Sequence, residues 1–203
     1  HSTASTYRKV LGYFDSKFIL GLTATPERAD GQSILEIFKD SAHRLSLEEA
    51  VRLGELVPIR CMRVETNVDL SKVRYNSVNY HRKDLEVSIR IPSRDKLIVD
   101  TYQKYVPNKK AVAFTVNIDH SEKLAGLFEA RGVRALPVSG RLSASKREEI
   151  LDDFENGKIR VLCACDVLNE GWDCPSVEVL LMARPTLSKV VYLQQMGDRK
   201  SVV

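Results

Sequence analysis

Short apolar runs alternate with amphipathic stretches through the second half of the chain. The apolar runs have the length and character of buried strands, and they fall at four places: Ala111–Thr115, Val133–Val138, Arg160–Ala164 and Val177–Met182. The intervening stretches have helical spacing, which predicts helices from Ser93, over Asp119–Arg131, over Ser145–Phe154 and from Ser188. Strands that alternate with helices of this length indicate βαβ units, so we expect a parallel sheet covered by helices on both faces.

Capping residues mark the ends of two of these helices. Asp119 with Glu122, and Ser145 with Glu148, are spaced as capping pairs at the N-termini. Gly132 follows the first helix and Gly157 the second, as glycine does where a helix stops.

The first half of the chain has a weaker pattern. Apolar residues at helical spacing predict a helix within Ser2–Phe14, and the apolar run Lys17–Leu22 predicts a buried strand. Ser46 and Glu49 form a capping box that opens a short helix, which we expect to stop at Gly54.

The stretch between this short helix and Ser93 is the least regular part of the sequence. Ile59–Glu65 alternates between apolar and polar residues, which predicts a strand. Asn67–Lys83 is polar and basic, with Tyr75 and Tyr80 interleaved. Aromatic residues among cations can stack on bases, but we interpret this stretch as a solvated linker.

Composition places the chain among globular proteins and excludes several classes. Of the 203 residues, 43% are hydrophobic and 29% charged, and no apolar stretch approaches the length of a membrane span. The net charge of +4 is compatible with a polyanionic partner without being specific for one. The four cysteines form no CxxC pair and the four histidines are scattered, so we expect no metal site and a reduced, cytoplasmic protein.

The loop Asp166–Pro175 is the feature that points most directly to function. It follows the apolar run Val161–Ala164 and carries polar and glycine residues. Parallel sheets bind ligands at the carboxyl ends of their strands, so this loop is expected to face a ligand or a partner domain.

Several enzyme classes lack their required motifs in this sequence. There is no GxGxxG for a dinucleotide, no GxxxxGK[ST] phosphate loop and no GxSxG nucleophile elbow. Ser143–Lys146 matches the SxxK of penicillin-binding enzymes, but its partner motifs are missing, which indicates a chance match.

Taken together, six stretches resemble the motifs of superfamily 2 helicases of the DEAD/DEAH-box type, in the order that this family requires. The branch they resemble includes restriction-enzyme motor subunits. The second of the six stretches contains TATP and the fifth contains NEGWDCP, and together the six stretches span nearly the whole chain. The stretches are His1–Tyr7, Gly21–Gly31, Ala113–His120, Pro137–Arg141, Leu168–Pro175 and Tyr192–Gly197.

The resemblance implies two RecA-like domains, with ATP in the cleft between them and a nucleic-acid strand running across both. Residues 1–40 would then be the C-terminal end of the first RecA-like domain, residues 41–91 a connector, and residues 92–203 a truncated second domain. The expected partners are nucleic acid, DNA more than RNA, and a missing N-terminal RecA-like domain, with no membrane. ATP and Mg²⁺ would be cofactors of the full-length parent, and the fragment alone is expected to bind neither.

The resemblance also assigns roles to individual residues. Thr23 and Thr25 would couple the nucleotide state to the domain interface, and Gly171 and Asp173 would face the ATP cleft. Five residues at or after strand ends would contact the nucleic-acid backbone: Thr115, Asn117, Ser139, Gly140 and Arg141. Each also has a structural reading, because a Thr can cap a helix, an Asp can close a turn and an Arg can simply be solvated.

The chain departs from the family pattern near its end. Gln194 matches the start of the last motif, but Asp198 stands where the first Arg is expected, which leaves Arg199 as a displaced catalytic candidate. The magnesium-binding carboxylates and the phosphate-loop Lys would lie upstream of His1, so we expect the fragment to be inactive alone. Two alternatives stay open, namely a motor subunit of a restriction enzyme and a non-catalytic nucleic-acid-binding module.

Overall fold

A computed structural model describes residues 5–23, 38, 40–58, 60–66, 68–75, 80–89, 92–168, 172 and 174–186. Its helices are α1 (Ser5–Tyr13), α2 (Leu47–Arg52), α3 (Arg82–Ile89), α4 (Pro92–Tyr105), α5 (Ile118–Glu129) and α6 (Ala144–Glu155). Its strands are β1 (Ala111–Phe114), β2 (Ala135–Ser139), β3 (Val161–Cys165) and β4 (Val179–Leu181). The four strands form one sheet in the order β2-β3-β1-β4.

Every strand pair in this sheet is parallel. β1 and β3 occupy its centre, with Ala111 opposite Val161 and Phe114 opposite Ala164. Their residues are all buried, as expected for strands covered on both faces. The predicted parallel α/β sheet is confirmed.

Alternate residues of each strand pack into one of two apolar cores. On one face, α4 and α5 supply Tyr102 and Phe128, whose rings meet edge to face at 5.3 Å between centroids. On the other face, α6 contributes Ile150 and Phe154, and the segment after β3 adds Leu168 and Cys174. The two helices that follow β1 and β2 therefore lie on opposite faces of the sheet.

Three tight turns lead into β1, β2 and β3 at the amino edge of the sheet. Asn108 precedes β1, Gly132 precedes β2 and Gly157 precedes β3, and each has a positive φ of 63°, 75° and 77°, respectively. Glycine and asparagine adopt this left-handed conformation with the least steric cost, so the chain reverses within a few residues. The expected stops at Gly132 and Gly157 are confirmed, as is that at Gly54, with a φ of 80°.

Helix caps agree with the sequence in one case and differ in two. Ser46 caps α2, because its Oγ accepts a hydrogen bond from the Glu49 amide at 3.1 Å. The cap of α5 is Asn117 and not Asp119, and the cap of α6 is Ser143 and not Ser145. Each predicted cap lies two residues after the observed one. Asp119 and Ser145 are residue types that cap helices as well as Asn117 and Ser143 do, and the sequence does not show which residue of each pair has the extended backbone of a cap.

Two predicted strands in the first half are wrong. Lys17–Leu22 and Ile59–Glu65 are not strands in their described residues, and Phe18 and Leu22 are largely exposed. A strand is stable only when a neighbour takes up its backbone hydrogen bonds, and the sheet in the described part of the chain pairs only strands that follow residue 110. Helix α1 forms as predicted, but Tyr7, Val10 and Phe14 are at least half exposed.

Helix α3 packs against the sheet domain through a small third core. Leu85 and Ile89 are buried with Val116, which follows β1, and with Val73 upstream of the helix. Arg74 grips Asp84 with two hydrogen bonds, from Nε at 2.6 Å and from Nη2 at 2.9 Å. The stretch Asn67–Lys83, interpreted as a solvated linker, therefore contributes Val73 to a packed core and ends in the first turn of α3. Among the residues that the structure describes, every helix is too short or too polar to cross a bilayer.

The position of the α6 cap gives the first test. Ser143→Ala removes the hydroxyl that accepts from the Lys146 amide at 3.2 Å, so we expect about 1 kcal/mol loss in the free energy of unfolding. Ser145→Ala changes the same atoms inside the helix, where alanine is the better helix former, and should leave stability within about 0.5 kcal/mol or raise it. Urea unfolding followed by circular dichroism measures both. A larger loss for Ser145→Ala would show that the cap is assigned to the wrong residue.

Candidate nucleotide and nucleic-acid interface

The carboxyl ends of β1 and β3 flank a crevice made by the topology of the sheet. The connection after β1 leaves to the α5 face, while the connection after β3 leaves to the α6 face. Two neighbouring parallel strands whose connections diverge in this way form a topological switch point, where open α/β sheets bind ligands. The residues that follow these two strands are therefore the first candidates for a site.

Thr115 follows β1 at this crevice, and its polar groups are used within the fold. It is only 1% exposed, and its Oγ1 donates to the carbonyl of Ala164 in β3 at 2.9 Å. The Thr115 amide donates to the same carbonyl at 2.8 Å. Thr115 thus joins the two central strands where they end, which is the structural reading of this residue.

Asn117 lies two residues after Thr115 and begins a short series of hydrogen bonds that continues through His120. Its Oδ1 accepts from the His120 amide at 2.7 Å, which caps α5. The Nδ1 of His120 accepts a hydrogen bond from the Val116 amide at 3.3 Å, which leaves the proton of the ring on Nε2. Nε2 lies 3.1 Å from Oδ1 of Asp95, so the ring bridges α4 and the end of β1.

The turn after β2 combines a buried hydroxyl with an exposed cation. Ser139 is 6% exposed, and its Oγ accepts from the Arg141 amide at 3.4 Å. Gly140 and Arg141 are exposed, and a Cβ added at Gly140 would meet no atom within 4 Å. Of the five residues expected to contact nucleic acid, Gly140 and Arg141 are the two that present an open surface.

Asp166 follows β3 and is held between two arginines. Its Oδ2 accepts from Nη1 of Arg82 in α3 at 2.8 Å, and its Oδ1 accepts from Nη1 of Arg184 after β4 at 2.6 Å. Arg82 also donates from Nε to Glu86 at 3.3 Å. Burial, the largest single influence, disfavours the charge on Arg82, but the attraction of Asp166 and Cys165 and the hydrogen bonds to Asp166 and Glu86 together outweigh it, so the pKa of the guanidinium lies above its usual value.

Arg94 is a further cation near this edge, buried under the end of β4. It is 9% exposed, and its Nη2 donates to the carbonyl of Ala183 at 2.5 Å. Burial lowers the pKa of Arg94, and Asp95, whose Oδ1 lies 4.0 Å from Nη1, opposes that shift. Sequence reasoning missed Arg82, Arg94 and Arg184, because arginines in ordinary helix and loop positions carry no local signal of their partners.

The structure brings some of the predicted site residues to one edge and leaves others outside its description. Thr115, Asn117 and the turn Ser139–Arg141 all lie at the carboxyl edge of the sheet. Thr23 is exposed at the end of the described segment 5–23. The remaining predicted site residues lie outside the described residues, as does the helix predicted from Ser188: Thr25, Gly171, Asp173, Gln194 and Arg199.

The family model of the helicase conserved C-terminal domain matches residues 94–198, more than half of the chain. The chain belongs to this family. The domain carries α4, the whole sheet and the crevice at its carboxyl edge, so the parallel sheet described above is the RecA-like sheet of a helicase C-terminal domain.

Relatives of the helicase C-terminal domain extend the similarity beyond residues 94–198. The chain is 28% identical over 195 residues to the 51.5 kDa protein of Lactococcus phage (isolate 7-9), which covers 96% of the chain and 43% of that protein. It is 26% identical over 206 residues to the putative ATP-dependent helicase IRC3 of Saccharomyces cerevisiae, covering 97% and 30%. It is 32% identical over 139 residues to an endonuclease subunit of the type I restriction enzyme EcoAI of Escherichia coli, covering 61% and 17%. The chain spans less than half the length of each of these relatives.

The three cysteines of this helicase C-terminal domain, Cys163, Cys165 and Cys174, are buried as structural residues. Cys163 is fully buried in β3, and burial raises the pKa of its thiol far above the usual value. Burial also raises the pKa of the Cys165 thiol, and the charge of Asp166 adds to the shift. Cys174 is buried in the α6-face core, whereas Cys61 is exposed.

Thiol titration tests this placement. Because the thiolate is the reactive species, Cys163 should not react with an aromatic disulfide reagent in the native protein at about pH 8, whereas Cys61 should react at once. All four cysteines should react after unfolding in guanidinium. Cys61→Ser is the control and should remove the fast phase. A fast phase that survives in this variant would show that a thiol described as buried is accessible.

Proposed function

We propose that the chain forms the C-terminal part of an ATP-dependent helicase or translocase that moves along a nucleic-acid strand. The family match over residues 94–198 carries the proposal, because it coincides with a sheet whose switch-point edge gathers the expected contact residues. The similarity to a putative ATP-dependent helicase over 97% of the chain supports the same activity.

The proposed division of the chain follows from this assignment. Residues 92–203 would form the second RecA-like domain, residues 41–91 the connector, and residues 1–40 the end of the first domain. The exposed apolar side chains of α1 and of Phe18–Leu22 support the last assignment, since contiguous exposed apolar side chains mark a surface that packs against another part of a protein. ATP and Mg²⁺ would act in the cleft with that first domain, in a cytoplasmic protein.

DNA is the proposed substrate, in preference to RNA. Support comes from the branch that the motifs resemble and from the 32% identity to a type I restriction enzyme subunit. That relative also supports the second candidate, a motor subunit in which translocation serves cleavage by another domain. A non-catalytic nucleic-acid-binding module is the third candidate.

The exposed turn after β2 is the part of the nucleic-acid surface that can be tested directly. Arg141→Ala should weaken binding of single-stranded DNA and lower the slope of log affinity against log salt by about 0.7, as expected for one lost phosphate contact. Fluorescence anisotropy of a labelled oligonucleotide over a range of salt concentrations measures both quantities. Single-stranded RNA of matching sequence tests the substrate preference.

Arg134→Ala is the matched control, because it removes the same charge at the opposite end of the same strand. Arg134 precedes β2 and is exposed, with Glu129 3.9 Å from its Nε. An equal loss of affinity in the two variants would show that only net charge matters, and it would contradict a binding surface at the carboxyl edge.

The activity itself is tested in the full-length parent by ATP hydrolysis with and without single-stranded DNA. We expect stimulation by the nucleic acid, and we expect Asp173→Ala to abolish that stimulation. Cleavage of DNA by the parent in the presence of ATP would favour the restriction motor subunit. A parent that hydrolyses no ATP would refute the helicase assignment and leave the binding module.

A further inference from the structure

Asp166 connects three parts of the chain that are distant in sequence. Arg82 lies 84 residues before it and Arg184 lies 18 residues after it, and each bonds a different carboxylate oxygen. One side chain at the end of β3 therefore ties helix α3 and the segment after β4 to the carboxyl edge of the sheet. We refer to Arg82, Asp166 and Arg184 as the arginine clamp.

The clamp lies where the chain leaves β3 in an unfavourable conformation. Asp166 has a φ of 51° and Leu168 a φ of 64°, both in the left-handed region. Residues other than glycine adopt this region at a steric cost, so other contacts must hold them. For Leu168 the contact is burial in the α6-face core, and for Asp166 it is the clamp.

These contacts fix the start of the loop that the proposed function places in the cleft. Leu168 and Cys174 are buried in one core, on either side of residues 169–173. Asp166 stands immediately before this span, and its backbone direction sets where the loop begins. A carboxylate bonded by two guanidinium groups holds that direction more firmly than a single ion pair would.

We propose that Asp166 is a positioning residue, which through the arginine clamp docks helix α3 on the sheet and fixes the backbone of residues 166–168, where the chain leaves β3. This inference rests on the proposed function for its effect on activity, although the docking of α3 does not. Helix α3 and the end of β3 then share one carboxylate, so a displacement of α3 is transmitted to residues 166–168.

The apolar contacts of α3 limit how large the effect of the clamp is. Leu85 and Ile89 stay buried against Val116 when the carboxylate is removed, so α3 should loosen without detaching. Asp166 is 42% exposed and Arg82 is 49% exposed, which means that water and salt screen their attraction. An exposed pair of this kind changes an equilibrium by about fivefold at most.

Asp166→Asn is the sharpest variant, because asparagine keeps the shape and tolerates a left-handed backbone while it removes the charge. Hydrogen exchange of the α3 amides, measured by mass spectrometry, should become about threefold to fivefold faster, and less so at high salt. Asp100→Asn is the matched control: Asp100 is 43% exposed and bonds Arg131 at 2.7 Å, and its loss should leave α3 exchange unchanged.

A second pair of variants separates the clamp from a general loss of charge. Arg82→Gln should speed exchange in α3 to a similar extent, and Arg82→Gln combined with Asp166→Asn should add little, because both remove the same bond. Additive effects of the two substitutions, or unchanged exchange in Asp166→Asn, would overturn the clamp.

The effect on activity is read in the full-length parent. Asp166→Asn should lower the DNA-stimulated kcat about threefold to fivefold with the KM for ATP nearly unchanged, since a displaced loop alters coupling more than binding. Faster α3 exchange with an unchanged stimulated kcat would overturn the positioning role. A parent without any ATPase would refute the proposed function, while the exchange result would still decide whether the clamp docks α3.

Discussion

The parallel pairing of β1 with β3 is the constraint on which the rest of the domain depends. Their residues are buried on both faces, so each strand must be apolar along its length. Polar side chains therefore occur only beyond the ends of these strands. The connections after them leave on opposite faces, which opens a crevice between two polar segments. Thr115, whose hydroxyl and amide both donate to the Ala164 carbonyl, closes the ladder at that point.

The central sheet could be predicted from the sequence because a strand that is buried on both faces has a continuous run of apolar residues. All four predicted strands after residue 110 exist within a few residues of their expected bounds. The same signal failed at Lys17–Leu22, where an apolar run is present but no strand pairs with it in the described part of the chain. An apolar run indicates that a segment requires burial. It does not indicate which strand, if any, will pair with that segment.

The candidate site was predictable only in its local parts. The turn Ser139–Arg141 comes at the end of a predicted strand, so its place at the carboxyl edge could be expected from the sequence. The capping role of Asn117 competes with contact to nucleic acid, and the two uses favour the same residue type. The arginine clamp could not be predicted, because it joins residues 84 positions apart and depends on how α3 docks.

The three left-handed turns at Asn108, Gly132 and Gly157 form the edge of the sheet at which the domain can be attached to a surface or a label. They keep the amino edge compact and distant from the crevice, and there Lys109 and Glu178 further join the start of β1 to the start of β4. A surface tether or a fluorescent label attached beside Gly132 would leave the opposite edge open to solution. Attachment at the amino edge thus keeps the point of immobilisation one strand length away from the candidate site at the carboxyl edge.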